Sequence, residues 1–508
     1  MKLQKVYNAK RNLFTGLINK IITILLPFVL RSVIIYYLGA NYLGLNNLFT
    51  SILQVLNLTE LGFSNAIVYC MYKPLAHNDN DAICALLSFF KKSYRIIGSI
   101  VFILGLIVLP FLKYFISADI PVKTNIYVVY ILFLVNTCLS YFLSAYKSSI
   151  LNAYQRFDII SIINTVTLSL MYIVQIGMVV FFKNYYLSIV AMPIFTSLQN
   201  IIVAIVTDKM YPNLQCRGNI SEIVLKDFKK KVSGLMITKV CNVSRSAFNG
   251  IFVSAFIGLT ANAIYGNYYY VMNAVISVLT IFGNSILAGV GNSIVIDSEE
   301  KNYKDMRKIN FLYMWIVGWC TSCLICLYQP FMNLWVGKEL TFPFTTVILF
   351  GVYFYCLEIG VVRSVYSDGA GLWWQNRYRA IAEAVANLFL TFVFVIFWGV
   401  NGIIVATLIT IILINFVYGS QIIFKYYFIQ ESCKEYFLDH LKYAASTFVA
   451  VVFSYIICSL ISFNGFYGLT VKFFVCTFVS NVILLFIYSH FSLYDISVSW
   501  LRKSVFSR

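Results

Sequence analysis

Charge is what this 508-residue chain has least of: only 11% of its residues are Asp, Glu, Lys or Arg, and just 20 are acidic. Soluble globular domains carry about 25% charged residues, so that class is excluded. Histidine is scarcer still. His77, His440 and His490 lie far apart and form no cluster, so metal chemistry has no support. Long polar stretches are missing as well. Fourteen spans of about 22 residues use roughly 310 positions, and the rest is divided among tails and short loops too small for a soluble domain.

What is present is apolar. Hydrophobic residues make up 60% of the chain and the mean hydropathy is +0.81. The apolar stretches are continuous rather than alternating, and each is long enough to cross a bilayer core of about 30 Å as a helix. Unpaired peptide groups cost several kcal/mol each in hydrocarbon, which leaves helices as the spanning element. The expected fold is therefore all-α and polytopic, with about fourteen transmembrane helices. The first six run from Leu13–Leu38 and Leu43–Tyr69, through Ile96–Phe115, to Tyr185–Val206. A second six run from Gly234–Ile257, through Phe342–Val365 and Tyr378–Trp398, to Gly402–Phe424. Tyr443–Ile461 and Leu469–His490 complete the set. The organisation this predicts is 1–231, 232–430 and 431–508, the first break marked by Lys226, Lys229, Lys230 and Lys231.

Basic residues collect on the cytoplasmic side of membrane proteins. With the N-terminus inside, 28 of the 38 Lys and Arg fall in inside loops and tails, five in outside loops and five within spans. Both termini are thus expected in the cytoplasm, with the basic N-terminal residues Met1–Arg11 retained. Anionic lipid beside the cytoplasmic loops accounts for the net charge of +18 without nucleic acid.

The twelve cysteines are scattered through the spans. Cys320, Cys323 and Cys326 form a C-x-x-C-x-x-C run inside an apolar helix, beside Trp319 and Leu324, without the flanking turns of a zinc site. They are read as small apolar packing residues, and no metal is expected.

An internal echo supports two related halves. Leu38-Gly39-Ala40-Asn41-Tyr42-Leu43-Gly44 parallels Ile257-Gly258-Leu259-Thr260-Ala261-Asn262, followed by Tyr265-Gly266-Asn267. In each, a span ends at a glycine, a very short turn follows, and another glycine opens the next helix. Parallel repeats of this kind build transporters.

Ionisable groups within spans cost from about 2.5 kcal/mol upward and point to function. Here they are Lys20, Arg31, Glu60, Lys239, Arg245, Glu358, Arg363 and Glu383. Lys20 and Arg31 are about three turns apart and share a face of the first helix, with Asn12 nearby. On the seventh span Lys239, Asn242, Arg245, Ser246 and Asn249 occupy an arc of about 120°. Two such stripes would line a positively charged cleft for an anionic cargo, held by charge-assisted hydrogen bonds. Lys20 and Arg363 can instead snorkel to an interface, Glu60 can neutralise Arg31 across the hairpin, and Arg379–Glu383 reads as a helix-face pair. Asn262, Asn267 and the run Tyr268-Tyr269-Tyr270 suit sugar hydroxyls or an interfacial aromatic belt.

Several segments resemble Wzx-type polysaccharide repeat-unit flippases of the multidrug/oligosaccharidyl-lipid/polysaccharide exporter superfamily. These are Leu38-Gly39 with Tyr42-Leu43-Gly44-Leu45, Glu60-Leu61-Gly62-Phe63, Asn333-Leu334-Trp335-Val336-Gly337, and Ala370-Gly371 with Glu383 and Asn387-Leu388. The resemblance spans nearly the whole chain. It implies two six-helix lobes around a central cleft, alternating access, and two added C-terminal helices. The implied cargo is an undecaprenyl-pyrophosphate-linked oligosaccharide, turned over in the bacterial cytoplasmic membrane for capsule, O-antigen or exopolysaccharide assembly. A polysaccharide polymerase and a chain-length regulator are the implied protein partners, and no cofactor is implied. Ion coupling in such families makes Glu60 and Glu358 the candidate proton or cation sites. Substrate contacts fall to Lys20, Arg31, Lys239, Arg245, Arg363, Asn242 and Asn249.

Two other readings compete. A multidrug exporter of the same superfamily would want a net-negative interior for cationic drugs, whereas five of the eight intramembrane charges here are positive. A membrane-embedded polymerase or glycosyltransferase would need a sizeable loop with paired carboxylates, and the outside loops have none. A non-enzymatic role is expected.

Overall fold

The computed structural model describes residues 5–57, 63–117, 120–121, 124–143, 145–220, 237, 239–241, 243 and 245–506. Among them every regular element is helical. Ten helices are long and apolar enough to cross a membrane, eleven if the bent pair Ile126–Phe142 and Ala145–Ala153 counts as one span. The fold is that of a polytopic helical membrane protein. The figure falls below fourteen for identifiable reasons. Trp373–Tyr426 runs 54 residues and holds two expected spans. The helix Ala40–Leu56 has only 17 residues, and part of the seventh span lies outside the described residues.

The chain forms two compact units, Met1–Ala263 and Ile264–Arg508. In the first, α1 (Lys5–Tyr37), α2 (Ala40–Leu56), α3 (Phe63–Ala76) and α4 (Asn80–Val108) are followed by α5 (Ile126–Phe142) and the short α6 (Ser148–Ala153). Then come α7 (Phe157–Phe182) and α8 (Tyr185–Met210). Asp79, Asn125 and Asn184 accept from backbone N–H groups at the starts of α4, α5 and α8, which fixes where these helices begin. Leu48, Phe49, Phe90, Tyr130 and Phe133 form the centre of its core.

α1 lies along α7 through polar contacts. Arg11 and Arg156 both pair with the buried Asp158. Asn12 donates to the Gln155 carbonyl at 3.1 Å, and Asn19 to Thr165 Oγ1 at 3.0 Å. Asn12 therefore belongs to the face packed on α7, not to the Lys20–Arg31 stripe. Phe14, Ile21 and Leu25 face outward, as lipid contact requires.

The second unit contains α9 from Ile264 on (Leu259–Ile296 overall), α10 (Glu299–Trp335), α11 (Phe344–Glu358), α12 (Val361–Gly369) and α13 (Trp373–Thr410). A π-helical stretch, Ile411–Tyr418, leads to α14 (Gly419–Tyr426), α15 (Cys433–Ser459), α16 (Gly465–Tyr488) and α17 (Leu493–Phe506). In α10, 61% of the most apolar window is buried, against 17% in α16. α10 is thus the central post of this unit, with α11, α15, α16 and α17 packed on it. The expected span Phe342–Val365 is broken at Ile359–Gly360, and α13 is interrupted at Gly399.

The two echoed turns have one geometry. The N–H groups of Leu38 and Gly39 both bond the Ile34 carbonyl, and those of Ile257 and Gly258 both bond the Val253 carbonyl. Gly39 has φ +106° and Gly258 +121°, which only glycine adopts without strain. The turns meet. Thr260, two residues after Gly258, donates to Asn41, two residues after Gly39, so equivalent positions of the repeat touch.

That meeting requires close backbone approach, since a Cβ on Gly44 would stand 2.1 Å from the Leu259 carbonyl oxygen. Gly44→Ala is expected to destabilise the protein by about 1–3 kcal/mol, read as a lower Tm in detergent. Gly16→Ala, whose methyl meets nothing within 4 Å, is expected to leave the Tm unchanged or slightly raised. Equal behaviour of the two variants would contradict the turn contact.

Candidate functional site

In the first unit, three helices converge on one face of α2. Arg31 of α1 donates from Nη2 to Asn47 Oδ1 at 2.9 Å. Asn47 in turn donates to the Asn262 carbonyl at 3.1 Å, and Asn262 donates to the Gly44 carbonyl at 3.1 Å. One turn along α2, Ser51 meets the helix 245–256: a Cβ on Gly250 would be 2.5 Å from Ser51 Oγ. Asn47 and Ser51 are four residues apart and share a face. Arg31 and the Asn249–Gly250 segment are thereby brought to adjacent levels of a single polar seam.

Asn249 and Asn262 are each 1% exposed. Arg245 stands a little over one turn, about 7 Å, along its helix from Gly250. Arg31, Lys20, Lys239 and Arg245 are all half-buried. The first-unit cations thus sit on helices that this seam positions. Asn242 and Glu60 lie outside the described residues. A cavity of about 440 Å³ opens beside the paired turns, with Gly39, Asn41, Tyr42, Pro121 and Thr260 in its wall.

Some sequence assignments change. Asn262 is taken up by the Gly44 carbonyl. Tyr268 is buried, its hydroxyl donating to Gln329 Oε1 at 3.1 Å and accepting from the Phe342 N–H. Tyr268 is therefore neither a belt residue nor open to a sugar.

In the second unit, Glu358 ends α11 at the break in the expected span. It is 3% exposed and accepts from the Tyr313 hydroxyl. Among the described residues no Lys or Arg pairs with it. A buried ionisable group inside a membrane span is a candidate ion site. Broken spans place such groups at membrane depth in transporters.

Arg363, five residues on, turns inward rather than to an interface. It is 4% exposed and donates to the Asn415 carbonyl at 2.6 Å and the Phe416 carbonyl at 3.1 Å. It also reaches Ser364 Oγ and Asn415 Oδ1, both at 3.2 Å. The π-helical turn presents these carbonyls. The pair Arg379–Glu383 forms at 2.9 Å, and Asn415 Nδ2 donates to the same Glu383 oxygen at 2.8 Å. Arg363 thus clamps α12 to the π-turn, and its donors are spent inside the unit. Sequence inspection missed Asn415. A polar residue amid Ile411–Phe416 was its only signal.

No protein-family profile matches the chain, and no curated protein matches it in sequence. Its backbone does resemble solved structures. Against the lipid II flippase MurJ in an inward closed conformation the TM-score is 0.66 at 13% identity, covering 96% of this chain and 99% of that one. Against an inward-facing multidrug resistance MATE transporter of the MOP superfamily it is 0.61 at 13% identity, covering 78% and 93%. A Vibrio cholerae MATE transporter gives 0.57 at 14% identity, covering 83% and 97%. The chain therefore has the MurJ/MATE transporter fold.

The Asn415 bridge has a measurable weight. Asn415→Leu removes an acceptor from Arg363 and a donor from Glu383, both buried, and is expected to cost about 3 kcal/mol. Thermal unfolding in detergent reports it, and an unchanged Tm would remove the clamp from the account.

Proposed function

We propose that this chain moves an undecaprenyl-pyrophosphate-linked oligosaccharide across the bacterial cytoplasmic membrane, exposing one binding site alternately to the two faces. The observation that carries the reading is the seam in the first unit. Arg31 and the helix bearing Arg245 both pack against the same face of α2. Cations so placed favour a polyanion, and a diphosphate offers Arg its bidentate geometry. Lys20 and Lys239 extend the positive stripe along the same helices, and Asn249 with Asn242 supplies neutral donors. Arg363, spent on the π-turn, is a positioning residue in this reading.

Glu358 is the proton site that couples transport to a gradient, with Tyr313 as its partner and Glu60 as a second carboxylate. The likeness to a flippase whose printed cargo is lipid II extends over nearly the whole chain, and that supports a lipid-linked substrate. A multidrug exporter is the second reading, favoured by the MATE likeness. The excess of intramembrane cations weighs against cationic drugs. A polysaccharide polymerase and a chain-length regulator are the partners this role would bring, with both termini in the cytoplasm.

Arg245→Ala is expected to lose surface polysaccharide at normal expression, and Arg245→Lys to keep part of it, measured by cell-surface glycan staining. Full staining in Arg245→Ala rejects the cationic site. Glu358→Gln is expected to fold normally and bind cargo, yet show no acceleration by an imposed pH gradient in proteoliposomes. Gradient-driven transport that persists in Glu358→Gln moves the coupling elsewhere.

A further inference from the structure

The C-terminal helices α15 and α16 are fastened to α10 by a ladder of contacts. Arg307 pairs with Glu435 and Asp439, each at 2.8 Å. Trp315 Nε1 donates to Asn481 Oδ1 at 3.1 Å, and Trp319 Nε1 to Thr477 Oγ1 at 3.3 Å. The next rungs along α10 are thiols. Cys326 of α10, Cys458 of α15 and Cys476 of α16 are all buried, and their sulfurs lie within 4.8 Å of one another. Cys323, one turn earlier on α10, packs against the same cluster and contacts Thr477 Oγ1 at 3.9 Å.

We propose that these cysteines bind a thiophilic d10 metal ion, Zn(II) or Cu(I), which locks α15 and α16 onto α10. Three helices deliver three sulfurs to one point, where random packing of small residues would scatter them. An ion about 2.3 Å from each sulfur sets sulfurs about 4 Å apart, so side-chain rotation alone closes the cluster. Sulfur-only ligand sets select Zn(II) and Cu(I). Cys323 stands ready as a fourth ligand.

Coordination deprotonates each ligating thiol, so three protons leave when the three sulfurs bind, and the site carries a net charge of −1 with Zn(II) or −2 with Cu(I). Cys323 also lines an apolar groove of about 580 Å³ between α9, α10 and α16, together with Trp319, Leu469 and Phe473.

The test uses full-length protein in nanodiscs, reduced with a phosphine and stripped of metal. It is loaded with Zn(II), or with Cu(I) under anaerobic reductant, and the retained metal is counted by mass spectrometry. About one ion per chain is expected, with maleimide labelling of Cys326, Cys458 and Cys476 suppressed by the metal. Cys458→Ser and Cys476→Ser should each weaken retention by at least about tenfold, while Cys320→Ser on the same helix should not. The ion that survives chelator competition identifies which of the two the site takes. Equal retention in all variants, or identical labelling of the wild-type thiols with and without metal, overturns the proposal without reference to whether any variant folds.

Discussion

Hydrocarbon gives a peptide group or a side-chain charge no water to bond, and this chain is organised by that single cost. Most of its backbone answers by closing hydrogen bonds within helices. The places where the helices break are where other chemistry enters. Gly39 and Gly258 turn the chain back at equivalent points of two repeats. Ile359–Gly360 interrupts a span directly after Glu358, and a π-turn at Ile411–Tyr418 presents carbonyls that Arg363 takes up. Irregular backbone inside a membrane survives only where protein groups satisfy it, and each of these breaks has such partners.

The same cost sorts the intramembrane charges. Arg379 and Glu383 satisfy one another, and Arg363 is satisfied by a turn built for it. Arg31 is held against α2 by Asn47 Oδ1. Glu358 accepts from the Tyr313 hydroxyl.

Helix content and the paired glycine turns were legible in the sequence because hydropathy and glycine spacing are local properties. The Arg379–Glu383 pair was legible because it is four residues apart on one helix. Arg363 was not, since its partners are carbonyls exposed by a π-turn that no residue pattern announces. Asn12 was misplaced because a helical wheel gives an angle without saying what stands there, and α7 occupies that angle. The cysteines show the same limit. Spacing within one helix pointed to Cys320, Cys323 and Cys326, whereas the three converging sulfurs are Cys326 with Cys458 on α15 and Cys476 on α16.

The central claim is that fixed positive charge in the first unit selects a diphosphate on a lipid-linked sugar. Its most direct measurement is leaflet exchange in proteoliposomes, comparing an undecaprenyl-pyrophosphate oligosaccharide with the same sugar on an uncharged polyprenyl ether. The account predicts rapid exchange of the first alone, lost when Arg31 and Arg245 are both neutralised. Equal exchange of the two lipids, or exchange untouched by that double substitution, would contradict it.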